Sequence, residues 1–248
     1  RADLLAEGLV RSVTLGVGQF CTNPGLIIVQ DCPASGRFIE RLADGIREAP
    51  CGAMLYPGIQ QAFEEGIARM RAFPGVTVLA QSPLKEGAAS GVLLQVDAPT
   101  FLTHPELQNE VFGPSSLVVT AGDGAGLEAV ASALEGQLTA TIHATEEDLI
   151  RHRRLVGILQ RRVGRLIFNG YPTGVEVGPA MQHGGPYPAT TDARTTSVGT
   201  AAVFRFARPV CYQDFPQQAL PPELRDGNER GIWRLVDGAL TREDVTVR

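Results

Sequence analysis

From residue 114 onward the chain alternates between two hydrophobic periods. Apolar runs at 117–119, 138–142 and 165–169 are separated by segments with helical spacing, one marked by Leu127, Val130 and Leu134 and one spanning about 146–161. Strands joined through helices by short connections pair in parallel, through right-handed crossovers that lay the helices against the sheet. The pattern predicts an α/β fold, a mostly parallel sheet covered by helices, and it limits the alternatives more than any other feature of the chain. Upstream, strand-like runs at 26–29, 76–79 and 92–96 and amphipathic helices at 34–49 and 59–72 extend the same plan.

Beyond the alternation, residues 170–197 turn to Gly, Pro, Thr and Tyr with little periodicity, too long for a connector and in keeping with a functional loop. A short helix near 198–206, a strand near 208–213 and a polar tail holding the lone Trp233 follow. The expected division is therefore an α/β body over 1–197 and a helix, strand and tail over 198–248 that packs on the body or on a partner subunit. At the other end the chain opens on Arg1, already at helical spacing (Leu5, Leu9, Val13), so a fragment of something longer is expected.

Composition narrows the function classes. The chain has 248 residues, 44% hydrophobic and 20% charged, which is ordinary for a globular domain and unlike a disordered chain. No run approaches the ~20 apolar residues that span a bilayer, so no membrane partner is expected. The net charge of -5 removes the attraction on which phosphate-backbone binding depends, and nucleic acid is not an expected partner. Four scattered cysteines (Cys21, Cys32, Cys51, Cys211) do not make a disulfide framework, and a cytoplasmic location is expected. His104, His143, His152 and His183 lack metal-ligand spacing, so no metal is expected. Gly16-x-Gly18 follows a helix and lacks a third glycine, unlike a dinucleotide fingerprint, and no G-x-S-x-G elbow is present. The arginines around 151–165 read as a solvated helix face.

Two residues stand out. Cys21 sits in a glycine-rich loop between a helix and a strand. A lone cysteine is most often a small buried hydrophobe, whereas one beside backbone N–H donors and clear of apolar packing is a nucleophile. Arg194, in the Gly/Thr-rich loop, carries a guanidinium suited to a substrate carboxylate, and a structural ion pair is at least as common a use. Residue type alone leaves both questions open.

Gly18-Gln19-Phe20-Cys21-Thr22-Asn23-Pro24-Gly25 resembles the nucleophile segment of the aldehyde dehydrogenase superfamily, and Glu110-Val111-Phe112-Gly113-Pro114 resembles its Glu-x-Phe-Gly-Pro motif. Asn169-Gly170-Tyr171-Pro172 and His183-Gly184-Gly185-Pro186 fall where that family has an Asn after its last core strand and a Gly-rich substrate loop. Within the family, His183 to Thr191 and Arg194 to Gly199 look most like the α-ketoglutaric semialdehyde (2,5-dioxovalerate) dehydrogenases. The resemblance runs along essentially the whole chain but matches only the C-terminal half of the family's length. It implies that the nucleotide-binding domain, the oxyanion-hole amide and the deacylating Glu lie outside this chain, and that the chain alone is inactive.

The resemblance implies the following roles. Cys21 is the catalytic thiol, forming a thioester. Glu110 and Phe112 contact NAD or NADP, at the nicotinamide ribose and beside the nicotinamide ring. Phe20, Thr22, Asn169, His183 and Arg194 line the substrate. The substrate is a small carboxylated semialdehyde, 2,5-dioxopentanoate giving 2-oxoglutarate, and the full-length protein is a homo-oligomer. Two other readings are a CoA-acylating enzyme, in which CoA replaces water, and a noncatalytic oligomerisation or binding module of the same fold.

Overall fold

The computed structural model describes residues 1–246. The chain divides into two units, Arg1–Phe206 and Ala207–Arg248.

The first unit is built on a four-stranded sheet of β1 (Leu26–Gln30), β2 (Thr77–Gln81), β3 (Val92–Asp97) and β4 (Ser115–Ala121), in the order β1-β4-β3-β2. The β1, β4 and β3 strands are parallel, in a register that sets Leu26 beside Leu117 and Leu94 beside Leu117. Edge strand β2 runs antiparallel to β3. Successive side chains on a strand point to opposite faces, and here both faces are covered. Ile27, Leu93 and Val118 point to one face, where they pack under α1 (Ala2–Thr14) and α2 (Pro33–Glu48) with Leu9, Val13, Leu42 and Ile46. Leu94, Val96, Leu117 and Val119 point to the other, against α3 (Pro57–Ala72), α4 (Ala98–Thr103), α5 (Gly124–Ala133) and α7 (Arg153–Gln160). Burial on both sides explains why β3 and β4 read as continuous apolar runs.

The α/β class and the parallel pairing hold. The alternation after 114, however, does not build one sheet. Strand β5 (Gln137–Ile142) pairs in parallel with β6 (Val163–Phe168) as a separate two-stranded sheet, joined through α6 (Glu146–Arg151) and α7. The single helix expected over 146–161 is two, with a break at His152. Helix α6 buries nothing and rests on a capping box between Thr145 and Asp148; the apolar face belongs to α7, through Ile158 and Leu159.

The helix expected near 198–206 is a 3-10 helix over Thr200–Phe206 with no buried residue, and 208–213 has no strand. Those residues are exposed and meet no partner strand among the described residues, and Pro209 has no N–H to give a ladder. In the second unit, β7 (Arg234–Val236) and β8 (Ala239–Thr241) form a hairpin across Asp237-Gly238, both at positive φ, the two-residue turn that an Asp-Gly pair favours. Sequence reading missed it because three-residue strands carry little periodicity, although the Asp-Gly signal was there. Trp233 is exposed, with the Arg242 guanidinium 6.0 Å from its ring centroid.

Candidate active site

The loop between α1 and β1 carries Cys21. Gly16, Val17 and Gly18 take successive left-handed conformations, with φ of 55°, 59° and 67°. For β-branched Val17 this is a strained backbone, and strain of that kind persists only where the surroundings over-determine it. They do so here. Gln19 donates to the Gly16 carbonyl (3.0 Å) and accepts from the Leu55 N–H (2.9 Å). A Cβ on Gly18 would run into the Gly113 backbone, so only glycine allows the approach. Asn23 Nδ2 donates to the Gly113 carbonyl at 2.7 Å, and Ser116 Oγ to Pro24 O at 2.6 Å. The nucleophile loop and the Glu110-Val111-Phe112-Gly113-Pro114 segment therefore meet at Gly113.

Phe20 O accepts from Asn23 N–H (3.0 Å), leaving Cys21 and Thr22 as the central residues of a tight turn. Cys21 is exposed and free, and its backbone N–H meets no acceptor among the described residues. Thr22 is buried, its hydroxyl donating to Pro172 O at 2.9 Å, while Phe20 is half-buried with its ring over Gly16.

The partner of the thiol comes from 162 residues away. His183 Nε2 lies 3.3 Å from Cys21 Sγ. Its backbone is clamped: Thr196 Oγ1 accepts from the His183 N–H (2.8 Å), and the His183 carbonyl accepts from both Ser197 N–H and Ser197 Oγ (3.0 Å each). The ring is buried, and its Nδ1 has no hydrogen-bond partner among the described residues. Burial, and secondarily the nearby Arg165 cation, lower the His183 pKa from its ordinary value, so the imidazole is held in its neutral form. Arg165, on β6, is a half-buried cation with no carboxylate partner among the described residues. It donates to Pro172 O (2.8 Å) and Gly174 O (3.2 Å), and Cys21 lies within its electrostatic reach.

Cys21 and His183 open on a cleft of about 460 Å³, lined also by Leu138, Pro188, Ala189, Thr190, Thr191, Ser197 and Arg205. An exposed thiol beside a neutral imidazole and a half-buried cation can attack an electrophilic carbon, with the imidazole taking the S–H proton.

The other candidate residues lie apart from this pair. Glu110 is exposed and borders a second hollow of about 380 Å³ over α3, which Cys21 does not line. Phe112 is 36% exposed on the same segment. Asn169, at φ 52°, closes the β5–β6 end: its Oδ1 accepts from Ala144 N–H (3.0 Å), its Nδ2 donates to Ala144 O (3.0 Å), and Arg1 reaches its Oδ1 at 3.1 Å. Arg194 forks onto Asp192 at 2.9 and 3.0 Å, with its side chain 89% exposed. That bond holds the Asp192 carboxyl down at about 2. Sequence reading placed His183 in a substrate loop and missed its bond to the thiol. It also missed Arg205, and the reading of Arg165 as part of a solvated helix face is corrected, since Arg165 lies half-buried on β6; no local motif distinguishes either from the other arginines.

A thiol on a tight glycine-rich turn that leads into β1, at the edge of a mostly parallel sheet clad on both faces, is in keeping with the motif resemblance to aldehyde dehydrogenases. Solved structures agree. A NAD-dependent aldehyde dehydrogenase from Sinorhizobium meliloti superposes with a TM-score of 0.66 at 19% identity, covering 85% of this chain and 44% of that one. Proline utilization A from Bdellovibrio bacteriovorus gives 0.70 at 20% identity, covering 85% of this chain and 22% of that one. No family model matches the chain. In sequence it is 48% identical over 240 residues to alpha-ketoglutaric semialdehyde dehydrogenase 2 of Azospirillum brasilense, covering 96% of this chain and 46% of that protein. It is 46% identical over 245 residues to the alpha-ketoglutaric semialdehyde dehydrogenase of Acinetobacter baylyi, covering 98% of this chain and 47% of that protein. The chain thus spans about half the length of the curated relatives it matches, and the resemblance to the aldehyde dehydrogenase superfamily read from its motifs is borne out.

Proposed function

We propose that this chain is the thiol-bearing part of an NAD(P)-dependent aldehyde dehydrogenase acting on a small carboxylated semialdehyde, 2,5-dioxopentanoate, to give 2-oxoglutarate. The single observation that carries the chemistry is the 3.3 Å contact between the exposed Cys21 Sγ and the buried, neutral His183 Nε2 at the mouth of a cleft. The curated relatives' names support the substrate.

In this reading Cys21 sulfur bonds to the aldehyde carbon as His183 Nε2 takes the thiol proton, and Arg165 favours the sulfur while it carries negative charge. The carbonyl oxygen becomes an oxyanion within reach of the free Cys21 N–H. NAD(P)⁺, if held by Glu110 and Phe112, would supply the two-electron oxidant, the acceptor for a hydride from the former aldehyde carbon. Cys21 is left as a thioester; water adds to it and gives up one proton to solvent, the carbon–sulfur bond breaks, and His183 returns the thiol proton to the departing sulfur as the acid forms. Glu110 and Phe112 suit the ribose and nicotinamide ring of the cofactor, because both are exposed, Glu110 has no ion pair among the described residues, and their segment touches the nucleophile loop at Gly113. Phe20 and Thr22 flank the substrate. Residues 1–197 would supply this chemistry, and 198–248 would pack on the body or a partner subunit of a homo-oligomer.

The test is Cys21→Ala in the full-length protein that contains this chain. Aldehyde-dependent NAD(P)H production should fall to background, and steady production by the variant would overturn the reading. Product analysis adds a second check: free acid is expected, and acyl-CoA as the obligatory product would point to the acylating enzyme instead.

A further inference from the structure

We propose that Arg205, not Arg194, is the receptor for the carboxylate of the substrate; the inference rests on the dehydrogenase reading above and adds its specificity residue. Among the described residues, Arg205 is the one cation lining the cleft that Cys21 and His183 open on. It makes no hydrogen bond and no ion pair there, although Asp192 is close enough to feel its charge. The reason lies next door. Both Asp192 oxygens are taken by Arg194, whose Nε and Nη2 hold one each while the Arg194 N–H adds a third bond at 3.0 Å. That arrangement uses up the guanidinium expected from sequence and leaves Arg205 with its charge unspent.

The remaining wall is mixed, part apolar and part hydroxyl-bearing. Leu138, Pro188 and Ala189 are apolar. Ser197 and Thr190 spend their hydroxyls on the His183 and Gly185 carbonyls, whereas the Thr191 hydroxyl is free among the described residues. A thiol for an aldehyde, a guanidinium for a carboxylate and a hydrocarbon wall define an aliphatic aldehyde carrying a carboxylate at its far end. The planar guanidinium fork suits that group, and a charge-assisted bond discriminates strongly against an uncharged analogue.

The experiment uses the full-length protein with two five-carbon aldehydes, 5-oxopentanoate and pentanal, and compares kcat/KM for each in the wild type, Arg205→Met and Arg205→Lys. The wild type should prefer 5-oxopentanoate. Arg205→Met should lower the ratio of the two by roughly tenfold or more, mainly through KM for the charged substrate, as expected for a lost bond to a charged group. Arg205→Lys should restore part of the ratio. Turnover of pentanal by Arg205→Met reports that the variant has folded, and if that variant were inactive on both aldehydes the evidence would rest on Arg205→Lys, whose ratio must then fall below that of the wild type. If the wild type turns over 5-oxopentanoate and the variants keep its ratio, Arg205 is not the receptor while the dehydrogenase reading stands. If the wild type oxidises neither aldehyde, the reading fails and the receptor with it.

Discussion

Strand β4 and the segment 170–199 are held in place by different forces. In β4 every residue but Thr120 is buried, and parallel neighbours on both sides pair its backbone. The segment 170–199 has no strand or helix, yet it supplies His183 and most of the cleft wall. It is held by directional bonds: Arg165 to the Pro172 and Gly174 carbonyls, Gln182 to Thr195 O (3.1 Å), Thr196 to the His183 N–H. Burial is non-directional, so it tolerates a change of side chain at a cost in stability. A hydrogen bond fixes a direction, so its loss moves what it was holding.

Three experiments put that contrast at risk. Leu94→Ala, deep in the sheet, should have the largest effect on stability, about 2–5 kcal/mol by urea unfolding, because it leaves a cavity between β3 and the helices on that face. Under native conditions its Cys21 should still react with iodoacetamide at close to the normal rate. A slowed thiol would mean that the sheet and the site are not separable.

Thr196→Val should cost less, about 1–3 kcal/mol, by stranding the buried His183 N–H. Its signature is functional: Cys21 alkylation should change several-fold as His183 drifts from the sulfur, and an unaltered rate would show that the clamp does not position the ring. The smallest effect is in pH dependence. Burial lowers the pKa of His183 and of His143, so on acidification the unfolded chain takes up protons at the ordinary histidine value of about 6.5 before the folded one does. Stability should therefore fall as the pH drops through about 6.5, and His183→Gln should flatten that slope. A slope unaffected by the substitution would remove His183 as its source.

The same contrast governs what could be read from the chain. The apolar runs at 26–29, 92–96 and 117–119 correspond to β1, β3 and β4, because a strand covered on both faces is mostly apolar. The segment 208–213 is only half apolar, carries Pro209 and forms no strand, since a strand also needs a partner to accept its hydrogen bonds. Cys21 and the Gly113 segment were legible through local motifs, and Gly18 shows why the motif holds glycine where two backbones touch. The union of β5 with β6 apart from the main sheet was not legible, because periodicity specifies an element and not its neighbour.

On its own, the order of residues determined the α/β class, most of the strands and helices, and the loop that presents the thiol, all of which follow from patterns within a few turns of chain. Only tertiary structure decided that His183 would sit against Cys21, that Arg194 would be bound by Asp192, and that Arg205 would face the cleft uncommitted. Those outcomes depend on which distant polar groups find one another once the apolar faces have closed, and no local spacing encodes that choice.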